Sequence, residues 1–175
     1  MIIIPVSGKA EHGKDSFARF LCNEITSSGK TCLIFHYADL LKFICKQYMG
    51  WNGEKDQAGR TLLQFVGTDE VRAINNNFWV DYAIEFAKVF QHRWDYMIIP
   101  DTRYPNEIDS WKKVPGFDVR PVRVVRPDYV SSLTYEQLHH ISETALDTYP
   151  FRLRVVAADL DELRQAAHWF ASEVL

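Results

Sequence analysis

A short β-rich run, Ile2-Ile3-Ile4-Pro5-Val6, breaks at Ser7-Gly8, and from Asp15 onward apolar residues fall at helical spacing (Phe17, Phe20, Leu21, Ile25). This succession of strand, glycine loop and helix constrains the chain more than any other feature, because a strand that leaves into a helix regains its sheet by a crossover connection, which favours parallel pairing. The loop itself, Gly8-Lys9-Ala10-Glu11-His12-Gly13-Lys14-Asp15, fits G-x-x-x-x-G-K in the strand-to-helix context that gives the pattern meaning. Two glycines let successive N–H groups turn inward, and the helix adds the positive end of its dipole, so the loop is suited to phosphate oxygens. Gly8, Gly13, Lys14, Asp15 and Ser16 form the expected cofactor-binding set, for ATP with Mg²⁺. Lys14 would neutralise the β- and γ-phosphates. Asp15 stands where Ser or Thr normally meets magnesium; a carboxylate can serve directly or through water, Ser16 follows, and the sequence leaves open which one contacts the ion. The plain alternative is a glycine turn into a helix capped by Asp15. His12 and Glu11 read as loop filler, because the backbone of such a loop does the binding.

The alternation then repeats. Thr31–Tyr37, Tyr96–Ile99, Val119–Val125 and Phe151–Ala157 read as strands. Helical patterns run from Ala38 to near Gly50, from Arg60 to Val66, onward from Asn77, briefly over Asn106–Lys112, and from Leu160 to Val174, with Gly67-Thr68-Asp69 as punctuation. Five apolar strands separated by helices predict an α/β, three-layer P-loop NTPase fold: a parallel five-stranded sheet with helices on both faces. At 175 residues and 47% hydrophobic, the chain is expected to be a single domain over 1–175, with the aperiodic stretch from Pro127 to Thr148 as a mobile lid.

A net charge of −3 provides no global basic field, so no stable nucleic-acid complex is expected. Cys22, Cys32 and Cys45 are odd in number and lack metal-type spacing, which suits a reducing compartment. Met1–Val6 is too short for a membrane span or signal core, so the expectation is a cytoplasmic protein without membrane contact. A homodimer is left open.

Ligands of such sheets bind beyond the carboxyl ends of the strands. There Asp101, in Ile99-Pro100-Asp101-Thr102-Arg103, suits a second metal residue, and Arg103 could fork onto an acceptor phosphate; the alternatives are a helix cap and a pair with Glu107. Asp39 follows the second strand in the same way, as a substrate residue or an ordinary N-cap. Arg60, Gln64, Asp69 and Arg72 recur about once per turn and could line an acceptor cleft or simply meet solvent. Arg126 ends the fourth strand region, and His140, Ser142 and Glu143 fall in the segment beyond. Lys14, Asp101, Arg103 and Arg126 are the expected catalytic set; Asp15, Ser16 and Asp101 the expected metal set.

Several separated segments together resemble the phage-type deoxynucleoside monophosphate kinases of the P-loop kinase superfamily: Ser7-Gly8 with Gly13-Lys14-Asp15-Ser16, Leu63-Gln64 with Gly67-Thr68-Asp69, Arg72 and Trp79, Asp95-Tyr96 with Ile99-Pro100-Asp101-Thr102-Arg103, Val124-Val125-Arg126-Pro127, and His140-Ile141-Ser142-Glu143. The resemblance implies phosphoryl transfer from ATP to a deoxynucleoside monophosphate with Mg²⁺. It makes Asp15 a family feature and implies Arg103, Arg72, Arg60, Gln64 and Arg126 as binders of substrate phosphate or base. Against the family pattern, material is missing around Trp51–Ala58, Val155–Asp159 lacks the Asn and Gly expected near the donor base, and the lid carries no arginine. Animal-type phosphomevalonate kinase shares the Gly-Lys-Asp loop and is the rival for substrate; a nucleotide-binding switch without an acceptor is the rival for activity.

Overall fold

The computed structural model describes residues 1–174 as an α/β fold around one parallel sheet of six strands. The path is β2 (Cys32–Ile34), β3 (Tyr96–Ile99), β1 (Ile2–Ser7), β5 (Val122–Val125) and β6 (Leu153–Val156); β4 (Asp118–Val119) pairs with β1 off that path. Side chains alternate across β1. Ile3 joins Met97, Ile99 and Trp111 on one face, while Ile4 and Val6 join Ile98, Val122 and Val124 on the other. Both faces are therefore apolar, as a parallel sheet covered by helices requires. The helices α1 (Lys14–Ser27) and α9 (Leu160–Glu173) cover the second face, with Phe17 edge-on to Phe170 at 5.8 Å. The first face is covered by α2 (Tyr37–Tyr48), α5 (Phe78–Phe90) and α6 (Asn106–Lys112).

This topology selects the crevice. From β1 the chain passes over one face to the edge strand β2, whereas from β3 it passes over the other face toward β4 and β5. The loops after β1 and β3 therefore diverge, opening a cleft between the glycine loop and Pro100-Asp101.

Three expectations are corrected. The strand expected over Val119–Val125 is split. Its two pieces keep one register on β1, which sets Pro5 opposite Pro121, and neither proline has an N–H for the ladder. The strand expected over Thr31–Tyr37 ends at Ile34, because the N–H groups of Tyr37 and Ala38 are taken by the Asp101 carboxylate, which starts α2 there. Gly67-Thr68-Asp69 does not interrupt the helix. The chain continues from α3 (Gln57–Gln64) through a π-helical turn (Phe65–Glu70) into α4 (Val71–Ile74). The wide turn frees the Gly67 carbonyl, which accepts the Trp79 indole N–H at 2.9 Å, and a side chain at Gly67 would meet Leu41 at 2.7 Å.

The stretch from 127 to 148 has structure of its own: α7 (Tyr135–His139), with a Thr134–Gln137 capping box, and α8 (Ile141–Thr144).

Candidate active site

The glycine loop is shaped by close approach. Gly8 has φ +152° and lies so near β5 that a Cβ there would sit 2.4 Å from the Val124 carbonyl oxygen. Gly13, at φ +87°, precedes the first residue of α1 in the left-handed region. Gly8→Ala should therefore cost at least about 1–3 kcal/mol and weaken triphosphate binding, read from urea midpoints and calorimetry; unchanged values would show that β5 yields freely. Lys14 is 7% exposed, and its ammonium donates to the Lys9 carbonyl at 2.7 Å across the loop. Burial first, then the nearby Arg103 charge, pull its pKa from 10.5 down to about 7. Asp15 faces the cleft, and its Oδ1 pairs with His36 Nε2 at 3.0 Å. That hydrogen bond holds the Asp15 carboxyl below its ordinary value and raises the His36 imidazole.

Across the cleft, Asp101 accepts from the backbone N–H groups of Tyr37 (3.1 Å) and Ala38 (2.9 Å). It does cap a helix, but α2 rather than the one that follows it. Burial raises its pKa against those favourable contacts. Arg103 does not pair with Glu107 through its guanidinium, which lies 2.6 Å from the Glu143 carboxylate. Glu107, 2% exposed, binds Arg72 and accepts the N–H groups of Arg103 (2.6 Å) and Tyr104 (3.0 Å). Arg72 lies 3.9 Å beneath the Tyr104 ring centroid, and the Tyr104 hydroxyl meets Thr68 at 3.0 Å. Arg60, Gln64 and Trp79 complete the wall of a cleft of about 400 Å³, large enough for small-molecule ligands.

The segment expected as a mobile insertion is latched to the glycine loop. The Glu11 carboxylate accepts from Tyr129, Ser131 and Ser132, at 2.5–3.3 Å, and these bonds, led by the Ser132 hydroxyl, lower its pKa to about 2. His12 Nδ1 accepts the Arg126 N–H at 3.1 Å. Neither residue is filler. Glu143 accepts from the Ala10 N–H at 3.0 Å, and Lys9 and Arg123 both pair with Asp147.

A family profile described as deoxynucleotide monophosphate kinase matches residues 33–160, most of the chain. This chain belongs to the deoxynucleotide monophosphate kinase family. It is also similar to the deoxynucleotide monophosphate kinase of Enterobacteria phage T4, at 37% identity over 100 residues, which take in 54% of this chain. The aligned stretch spans only 37% of the phage protein's own length. The profile match begins after the glycine loop, so the loop and the family match are independent observations.

Within this kinase-family chain, Lys14, Asp15, Asp101, Arg103, Arg60, Gln64 and Arg72 all line one cleft, although they come from four separate stretches of sequence. The other expected residues stand elsewhere. Asp39 is exposed and pairs with Lys42 at 2.8 Å, and Asp69 is exposed beyond the cleft wall. Ser16 lies outside the cleft, its hydroxyl accepting from Arg19 at 3.3 Å. Arg126 is turned away from the expected catalytic set: it donates to the Ala158 carbonyl at 3.2 Å and lies 4.3 Å from the Tyr129 ring centroid. Sequence reasoning passed over His36 and Tyr104, named Glu107 only as an alternative partner for Arg103, and gave Glu143 no role. For Glu107 a signal existed: an acid beside Ile108 and one turn before Trp111, on the face of α6 that meets the core.

Among the described residues, no group of three or more His, Cys, Asp or Glu is arranged to hold a metal. A magnesium ion carried by nucleotide phosphates asks for less, one or two carboxylates with water completing the shell. Asp15 fits that demand: it is exposed, held ionised by His36, and faces the same cleft as Lys14.

Proposed function

We propose that this protein transfers a phosphoryl group from ATP to the phosphate of a deoxynucleoside monophosphate, yielding ADP and the diphosphate. The observation that carries the reading is the convergence of Lys14 on the glycine loop with Arg103, Arg72 and Arg60 on one cleft. A cation on the donor loop shares one cleft with three guanidinium groups, an arrangement suited to bringing two anionic phosphates together.

In this reading the glycine-loop N–H groups and Lys14 hold the donor phosphates, and the arginines hold the acceptor in line. An acceptor phosphate oxygen attacks the γ-phosphorus, a new P–O bond forms, and the bond to the ADP oxygen breaks. The acceptor is already anionic near neutral pH, so no side chain need act as general base. Asp15, backed by Asp101, would hold Mg²⁺, which would supply charge neutralisation for the transferring phosphoryl group. The stretch from 127 to 148 acts as the lid of a single domain, excluding water while the phosphoryl group is in transit. A cytoplasmic location belongs to the same reading. No helix among the described residues is long and apolar enough to cross a membrane, and Cys22, Cys32 and Cys45 are free thiols.

The test is incubation with ATP and Mg²⁺ against the four deoxynucleoside monophosphates, their ribose counterparts and phosphomevalonate, following ADP and the phosphorylated product together. A diphosphate formed from one or more deoxynucleotides is the expected result. Product from phosphomevalonate alone would transfer the reading to that acceptor, and ADP without a phosphorylated partner would defeat the kinase reading.

A further inference from the structure

Glu107 carries a fully buried carboxylate that the proposed transfer does not use. Its position near the start of α6 accounts for one of its two oxygens: Oε2 accepts the N–H groups of Arg103 and Tyr104, in the turn that leads into the helix. Local capping explains that oxygen. It does not explain Oε1, which binds Arg72, a residue from another helix and 35 positions away in sequence. Both partners are nearly solvent-free, with side-chain exposures of 7% for Arg72 and 2% for Glu107. A buried ion pair is commonly no more stabilising than an apolar pair of the same volume, so packing alone gives a weak reason for one in a cleft wall.

The pair sits where the cleft needs fixed geometry. Arg72 also donates to the Asn76 carbonyl at 2.9 Å, and its guanidinium supports the Tyr104 ring from below while Thr68 holds the Tyr104 hydroxyl. Glu107 thus grips the base of the Arg103 turn with one oxygen and the Arg72–Tyr104 stack with the other. We infer that Glu107 is a positioning residue for phosphoryl transfer, its carboxylate setting Arg72, Tyr104 and the Arg103 turn as one rigid acceptor wall before the acceptor arrives. The inference rests on the kinase reading above. Glu107 itself acts through the residues it holds. Reacting groups displaced by even about 1 Å lose rate on the order of 100-fold, so a loosened wall should be visible in kinetics.

The experiment compares the wild-type chain with Glu107→Gln, Glu107→Asp, Arg72→Met and the Arg72→Met/Glu107→Gln double variant, each checked for folding by circular dichroism and urea midpoint. Glu107→Gln keeps the shape but leaves Arg72 with a neutral partner; Glu107→Asp keeps the charge but shortens the reach. For both, kcat/KM toward the acceptor should fall on the order of 10- to 100-fold while the KM for ATP stays near the wild-type value. The double variant should be no worse than Arg72→Met alone, because the two residues act as one unit. Wild-type kcat and KM in a less stable but folded variant would overturn the inference, and so would failure of both single Glu107 variants to fold, which would make Glu107 a folding residue. A wild-type chain that phosphorylates no acceptor defeats the kinase reading instead, so the two failures are told apart.

Discussion

Lys14→Met should abolish turnover and, at neutral pH, make the protein more stable. The ammonium is buried, and burial together with Arg103 draws its pKa from 10.5 to about 7. Between those values the unfolded chain binds more protons than the folded one, so stability rises with pH across that window. Below about pH 7 the penalty for holding the charge is fully present. At about 1.4 kcal/mol per decade, a depression of this size sets a ceiling of roughly 5 kcal/mol. Attraction to Glu143, Asp15 and Asp101 is already counted in it, and the Lys9 carbonyl loses its donor in the variant, so a gain of about 1–2 kcal/mol is expected. Urea midpoints at about pH 6 and pH 9 check both parts: the wild type should gain stability over this range, and Lys14→Met should lose that slope. In the proposed function the residue serves anions at a cost to the fold. Bound triphosphate restores the charged form, so above about pH 7 ATP binding should take up a proton, seen as a buffer-dependent calorimetric heat. An active Lys14→Met or Lys14→Ala enzyme would sink the assignment of the loop.

Asp101→Asn should damage both the fold and the chemistry, while Asp39→Ala should do neither. In sequence the two acids are equivalent, each standing just beyond an apolar strand. In the structure Asp101 accepts two N–H groups at the start of α2, whereas Asp39 is exposed and pairs with Lys42. An asparagine has one accepting oxygen and presents an NH₂ group to the second N–H, leaving a buried donor unpaired at about 1–3 kcal/mol. The same change removes a negative charge beside Lys14 and Arg103, where the expected loss in kcat is on the order of 100- to 1,000-fold. Asp39→Ala should fall within about 0.5 kcal/mol of wild type, with its kinetics intact. Equal effects at the two positions, measured by chemical unfolding and steady-state rates, would overturn this ranking.

The split between these two acids marks where sequence reading stops. The glycine loop was legible because its meaning is local: strand, two glycines at fixed spacing, lysine and helix all lie within about thirty residues of one another, and backbone sterics dictate the turn. The alternation of apolar strands and helices was legible for the same reason, since each periodicity is written inside its own element. Boundaries were lost wherever a distant group intervened. Asp101 decides where α2 begins, the Trp79 indole takes the carbonyl that the π-helical turn at Gly67 releases, and Pro5 facing Pro121 divides a strand that sequence shows as one.

Arg60, Gln64, Asp69 and Arg72 recur about once per turn, yet the tertiary structure turns three toward the cleft and leaves Asp69 in solvent: the π-helical turn between Gln64 and Arg72 brings Arg72 back to the face of Gln64, while Asp69, five residues after Gln64, falls off it. Glu11 and His12 offered nothing in sequence to distinguish them from any loop residues, and only the fold brings Tyr129, Ser132 and Arg126 against them. By itself, then, the sequence determined the fold class, the glycine loop and the kinase family's outline, all encoded in short-range spacing. Which carboxylates face the cleft, which arginine is turned away from it and what Glu107 holds were decided by tertiary structure, because burial and charge pairing depend on residues that become neighbours only when the sheet closes.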